Sequence, residues 1–297
     1  MEQDGHISHA EESGTADTTP GIPEPLVIGR RPMLRSEPGT LPKVADRRPD
    51  TELDGADLPG LTVRSVSIRG DAHRYYGTVR QDAMGLWQVG DDRLLACVAD
   101  GVGSKELSHV GAVTACKAAY ENFADFLEGE DLKVAADHLF DNIGNDIRRE
   151  AHARGLEPGE LSTTLLAAVV EGNADTHRVT LLRVGDCSAF HLRQGVWMSC
   201  FPEDEDDPEQ LATSITRALP RDVGPVDVAA TILNPGEMLL LCTDGLSRPM
   251  RGEQVRAQLA EWWSAPAPPS LPEFLWQLSF RVKTHDDDRT AICLWRT

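Results

Sequence analysis

Four times in this sequence an apolar run meets an aspartate at its end: "LLACVAD" at Asp100, "LLRVGD" at Asp186, "LLLCTD" at Asp244 and, in reverse order, "DDDRTAICLW", where Asp287 and Asp288 precede the run. A fifth position, Asp82 in "VRQDAM", opens the stretch before the first of these. Short apolar runs bounded by turn residues read as buried strands. Asp and Gly are the commonest strand terminators, so any one of these aspartates alone is a turn residue. Together they constrain the fold. Strands that share a two-layer core would crowd the carboxylates at one edge, where repulsion must be relieved by protonation or by cations.

The Gly-Val-Gly that follows Asp100 invites comparison with a phosphate-cradling loop. A P-loop needs Gly-Lys-Ser/Thr opening a helix, and the order here is Gly103-Ser104-Lys105. Weight therefore shifts from the glycines to the aspartate. Oxygen ligands without matching His or Cys spacing select hard ions, Mg²⁺ or Mn²⁺, and Gly101 permits a close turn that leaves its carbonyl free as a further ligand. Two such ions ~3.5–4 Å apart would lower the pKa of a bridging water and polarise a phosphoryl oxygen. The sequence contains no G-x-S-x-G, and an activated water is the better nucleophile.

Net charge is −19 over 297 residues, which argues against nucleic acid or anionic lipid as a main partner. No apolar stretch approaches the ~20 residues of a membrane span, and "MEQDGHISHAEESG" lacks the parts of a signal peptide; a cytoplasmic protein is expected. Six scattered cysteines read as buried free thiols. Residues 1–60 hold no Phe, Trp or Tyr but eight of the 19 prolines, and form a disordered arm on that composition. Within it "VIGRRPMLR" is read as a solvated basic patch in preference to a docking element. The folded domain spans 61–297.

Alternating strands are expected at "LTVRSVSIRG", "DAMGLWQVG" and "RLLACVAD", the last two as a hairpin bringing Asp82 near Asp100. Helices follow over 108–127 and from "DLKVAADHLF" onward, then further strands, an acidic loop "PEDEDDPEQ" read as solvated, helices near 252–263 and 271–283, and a last strand "RTAICLWR". This order fits an α+β domain with antiparallel sheets.

The motifs "RQDA", "VADGVGS...GA", "STTLLAAVV", "VGDCSAF", "SITRALP", "PGEMLLLCTDGL" and "DDDRTAICLW" resemble, in order and approximate spacing, those of the metal-dependent protein phosphatases, the PPM or PP2C family, in a bacterial subgroup. The resemblance covers roughly 64–297. It implies a β-sandwich of two antiparallel sheets flanked by pairs of α-helices. It also implies that Asp100 bridges two metals, that Gly101 lends a carbonyl, that Asp244 and Asp287 complete the first ion's shell, that Asp82 lies at the second, and that Asp186 sits near a third, weaker site. Asp100 and Asp244 are on this account the central catalytic residues.

Two departures from the family pattern bear on mechanism. The arginine that often precedes the QD motif and binds substrate phosphate has no counterpart, position 77 being Gly; His73 and Arg80 are the nearby cations that could contact phosphate. Val102 stands where some members carry a histidine after Asp-Gly, so water or His73 would serve as general acid. The expected activity is hydrolysis of phosphoserine or phosphothreonine in a phosphoprotein, opposing a Ser/Thr kinase, by a monomer. The alternative is a pseudophosphatase acting as a regulatory binding module.

Overall fold

A computed structural model describes residues 25–30, 32–33, 48–90, 92–127, 131–172, 177–202 and 217–297. The acidic loop from 203 onward and most of the 1–60 arm lie outside the described residues. One six-stranded sheet contains β1 (Thr51–Leu58), β2 (Leu61–Ile68), β7 (Ser188–Arg193), β8 (Val196–Ser199), β10 (Met238–Cys242) and β11 (Arg289–Trp295), in the order β1-β2-β11-β10-β7-β8. The second, five-stranded sheet contains β3 (Ala83–Val89), β4 (Arg93–Ala99), β5 (Leu165–Gly172), β6 (His177–Val184) and β9 (Asp227–Leu233), in that order. All pairings between these strands are antiparallel.

Three apolar layers explain why the central strands read as unbroken hydrophobic runs. Along β4, Leu94, Ala96 and Val98 join a core with Val63, Leu241 and Ile292 of the facing sheet, while Leu95, Cys97 and Ala99 meet the outer helices. Side chains alternate across a strand, so a strand buried on both faces carries no polar alternation. The outer layer on this side is α2 (Ser108–Glu121), the short α3 (Phe123–Leu127) and α4 (Leu132–Ala153). Asp131 caps α4 by accepting from the Lys133 and Val134 N–H groups, and Ala136, Leu139, Phe140, Ile143 and Ile147 form its buried stripe. On the opposite face α6 (Glu253–Trp263) and α7 (Leu271–Leu278) cover the six-stranded sheet through Leu259, Trp263, Phe274 and Leu278.

Trp263 is buried and donates to Gln277 Oε1 at 2.8 Å, while Trp262 packs beside Trp276. The six cysteines are free thiols, five of them buried. Among the described residues no helix is long and apolar enough to cross a membrane.

The structure differs from the sequence expectations in four places. Residues 51–58, assigned to the arm, form β1, which pairs with β2 from Thr51↔Ile68 to Leu58↔Leu61; "TELDGADL" is polar because it is an edge strand, held by its ladder rather than by apolar burial. Val27 and Ile28 are docked, with Ile28 donating to the Arg281 carbonyl at 2.9 Å and Arg281 donating back to that of Leu26 at 2.7 Å. That pairing ends α7 at Leu278, short of the expected 283, because Arg281 needs an extended backbone to bridge to Leu26. Between β2 and β3 lies an unexpected six-residue helix, α1 (Asp71–Tyr76), closed by Gly77 at φ +72°, a left-handed cap that favours glycine.

Candidate active site

Register brings the strand-end aspartates together. Ala83 pairs with Ala99, so Asp82 and Asp100 flank one end of the β3–β4 hairpin. In the other sheet Cys242 pairs with both Ser188 and Ala291, and Arg289 with Ile68. The Asp186 turn, Asp244 and the Asp287–Asp288 pair therefore reach the same edge. They line a pocket of about 230 Å³ with His73, Gln81, Asp100, Thr164 and Arg248.

Each carboxylate is fixed by its own local device. Asp82 is buried just behind the pocket, and its Oδ2 accepts from the hydroxyls of Thr243 at 2.8 Å and Thr290 at 2.7 Å. Asp100 is held by the threonines of the "STT" motif: Thr164 Oγ1 accepts from its backbone N–H at 3.1 Å, and the Thr164 N–H and Thr163 hydroxyl donate to its carbonyl. A Cβ on Gly101 would lie 2.8 Å from Ser108 Oγ and 2.9 Å from the Gln81 carbonyl, which accounts for the glycine after Asp100. Asp244 opens a one-turn helix, α5 (Asp244–Ser247). A Cβ on Gly245 would meet the Asp288 carbonyl at 1.7 Å, so only glycine lets this turn close against the Asp287–Asp288 segment.

Asp288, more deeply buried than Asp287, organises the opposite wall. Its Oδ1 accepts from the Gly70 N–H at 2.7 Å and contacts His73 Nδ1 at 2.8 Å, and its Oδ2 accepts from the Gln81 N–H at 2.5 Å. His73 Nε2 lies 3.9 Å from Asp287 Oδ1. The helix α1 thus presents an imidazole oriented by one aspartate toward another.

The electrostatics are those of a site that wants cations. Burial and the charge of Asp288 raise the pKa of Asp82 well above the ordinary carboxylate value. Burial, with Asp82, Asp244, Asp186 and Asp287 nearby, does the same to Asp100. Burial raises Asp244 to about 6 despite the opposing pull of Arg248. His73 loses some basicity by burial, but the Asp288 hydrogen bond and the surrounding carboxylates outweigh that loss and its pKa is raised.

Arg248, four residues beyond Asp244, supplies positive charge: its Nη2 is 2.6 Å from Asp244 Oδ2 and 3.9 Å from Asp186 Oδ2. Among the described residues, no three His, Cys, Asp or Glu side chains stand close enough to hold one ion. The donor set nevertheless fits a hard cation, because the guanidinium already occupies the cation's electrostatic role between two pocket carboxylates.

Of the residues singled out in the sequence, His73, Asp100, Gly101, Asp186, Asp244 and Asp287 line one pocket and Asp82 backs it. Arg80 is a correction. Its side chain is fully buried, with Nη1 donating to the Ser67 carbonyl at 2.9 Å and Nη2 paired to Glu52 of β1, and its guanidinium is therefore committed to the sheet edge and not to phosphate. Sequence reasoning missed Arg248, Thr164, Gln81 and the role of Asp288. The doublet at 287–288 was the available signal for Asp288.

The chain belongs to the protein phosphatase 2C family, whose family model, "Protein phosphatase 2C", matches residues 69–278. It thereby falls among the protein serine/threonine phosphatases, enzymes whose substrates are phosphoproteins. The match ends before Asp287, so the aspartates ahead of β11 rest on the structure. PppA, described as a key regulatory component of T6SS in Pseudomonas aeruginosa, is similar at 20% identity and TM-score 0.54, over 82% of this chain and 100% of PppA. The catalytic domain of the serine/threonine protein phosphatase PstP, in complex with two manganese ions, is similar at 21% identity and TM-score 0.54, over 79% of this chain and 97% of that one. The S. agalactiae serine/threonine phosphatase gives TM-score 0.58 at 14% identity, over 80% and 100%. At these identities the likenesses show the fold. No curated protein matches the sequence.

Proposed function

We propose that this protein hydrolyses phosphoserine or phosphothreonine in phosphoproteins with Mg²⁺ or Mn²⁺ bound by the strand-end aspartates, opposing a Ser/Thr kinase. The observation that carries the reading is the meeting of Asp100, Asp186, Asp244 and Asp287 in one pocket, with Asp82 behind them and a guanidinium drawn among them. The PstP catalytic domain, similar in fold, is described with two manganese ions, and we assign the same number here, with Asp186 at a third, weaker position. Divalent cations bound there would neutralise the phosphoryl charge and lower the pKa of water.

The chain's own residues would set the geometry. Asp100 and Asp244 would hold the ions on the pocket side, with Asp287, Asp82 and the Gly101 carbonyl completing the shells. Thr243 and Thr290 lock the Asp82 carboxylate in one orientation, which limits its reorganisation when charge develops nearby. His73 would serve twice. Protonated, it attracts the phosphate. It also holds a proton at Nε2 for the departing seryl or threonyl oxygen, while Asp288 at Nδ1 keeps the ring aimed. Mn²⁺-dependent release of phosphate from p-nitrophenyl phosphate and from phosphothreonine peptides tests the reading; no release with either metal would end it.

One observation favours a second reading, a regulatory module with weak catalysis. Arg248 sits on Asp244 and would have to yield that carboxylate to a metal. Calorimetric metal titration separates the two, since a non-catalytic module need not bind two ions.

A further inference from the structure

Beside the aspartate pocket, and sharing Arg248 with it, runs a groove of opposite charge. It is lined by residues 28–30, by 248–255 at the start of α6 and by 282–285, and encloses about 770 Å³. Its charged lining is Arg30, Arg248, Arg251 and Lys283 against the single carboxylate of Glu253, a formal +3 on a chain of net charge −19. Among the described residues Arg30, Arg251 and Lys283 make no ion pair with a carboxylate, and Arg30 and Arg251 are exposed.

The groove is built, not incidental. Ile28 is buried against the core under α6, and its ladder with Arg281 fixes the 26–30 segment at the rim. Gly29, at φ +73°, then turns the chain, and Arg30 follows on the groove lining. Arg30 comes from the arm's basic stretch and Arg251 from the turn before α6, far apart in sequence, and Arg248, directly after α5, stands at the boundary with the pocket.

We propose that this groove receives Asp or Glu residues flanking the phosphorylated residue of the protein substrate, so that phosphosites with acidic neighbours are selected. The proposal rests on the phosphatase reading for its orientation, since Arg248 marks the side on which substrate would run from pocket into groove. Unpaired cations on a protein of strong negative charge are placed to offset its general repulsion of acidic segments at one location. Exposed pairs are individually weak, so selection depends on several acting together.

The test compares two fluorescent peptides of the full-length protein's substrate type, each with a non-hydrolysable phosphonate in place of phosphothreonine. One carries three flanking aspartates and the other three alanines, and binding is read by anisotropy in Mn²⁺. The acidic peptide should bind about 10-fold tighter at low salt, and the advantage should collapse near 1 M salt, where the screening length falls to about 3 Å. The Arg251→Glu/Lys283→Glu double variant should lose it while p-nitrophenyl phosphate hydrolysis stays at the wild-type rate, which also reports folding. Equal affinity for the two peptides, or a preference that survives the double variant, overturns the proposal. An acidic preference in a protein that hydrolyses nothing would sustain the groove and remove the phosphatase reading.

Discussion

The guanidinium of Arg248 lies 2.6 Å from Asp244 Oδ2 and 3.9 Å from Asp186 Oδ2, joining two strand ends that are far apart in sequence. A cation that enters this edge must displace it. The Arg248 side chain is 55% exposed, which limits such a pair to about 1 kcal/mol. Arg248→Ala should therefore tighten Mn²⁺ binding by roughly 5-fold in calorimetry; weaker binding would mean that Arg248 assists the site.

Metal-free protein should lose stability as pH rises. Burial and neighbouring carboxylates raise Asp244 from the ordinary carboxylate range to about 6. A carboxyl with a raised folded pKa stabilises fully below its unfolded pKa, and that contribution disappears as pH climbs through the folded value. In chelator, stability should fall between pH 4 and pH 7, on the order of 3 kcal/mol for this group, and is read as a lowered Tm. Asp244→Asn should flatten the fall, and saturating Mn²⁺ should reverse it.

Asp82→Asn should separate stability from activity. The buried carboxylate costs the metal-free fold energy, so chelator-treated variant should melt higher than wild type. Phosphate release should drop at least about 100-fold, because a ligand of the proposed centre is neutralised. A variant that keeps full activity would remove Asp82 from the site.

The His73–Asp288 contact predicts a pH-rate effect. A general acid must carry its proton, so activity falls as pH passes its pKa. Asp288 raises that pKa against the effect of burial, and Asp288→Asn should move the basic limb of the kcat profile to lower pH. An unmoved limb would assign the proton to water.

Arg80→Ala should act on the fold rather than on substrate. Its removal strips the Ser67 carbonyl of a buried donor, while Glu52 is 37% exposed and keeps Arg48 as a partner, so the cost should be about 1–3 kcal/mol at the junction of β1 and β2, and the KM for p-nitrophenyl phosphate should not change. A raised KM in a normally stable variant would restore the phosphate-binding role.

How far the sequence discloses this protein follows from where energy resides. Strands such as β4 are legible because both faces are buried and the run is unbroken. The aspartates are legible because each terminates such a run. β1 is not, since a polar edge strand is stabilised by a ladder that leaves no apolar period. Nor is α1, whose six residues carry only the closing Gly77 as a signal. Arg80 beside the QD motif looks like a phosphate ligand, and only the tertiary pairing with Glu52 shows it to be interior. Arg248 is a single charge directly after a one-turn helix, and its meaning depends on Asp186 arriving from the turn between β6 and β7.

If the strand-end carboxylates form one cation-dependent phosphatase centre, Asp100 stands at its middle. The most direct measurement is phosphate release from a phosphothreonine peptide, with and without Mn²⁺, by wild type and Asp100→Asn. Activity only in the wild type with metal is the predicted result. Metal-independent release, or full activity in Asp100→Asn, would contradict it.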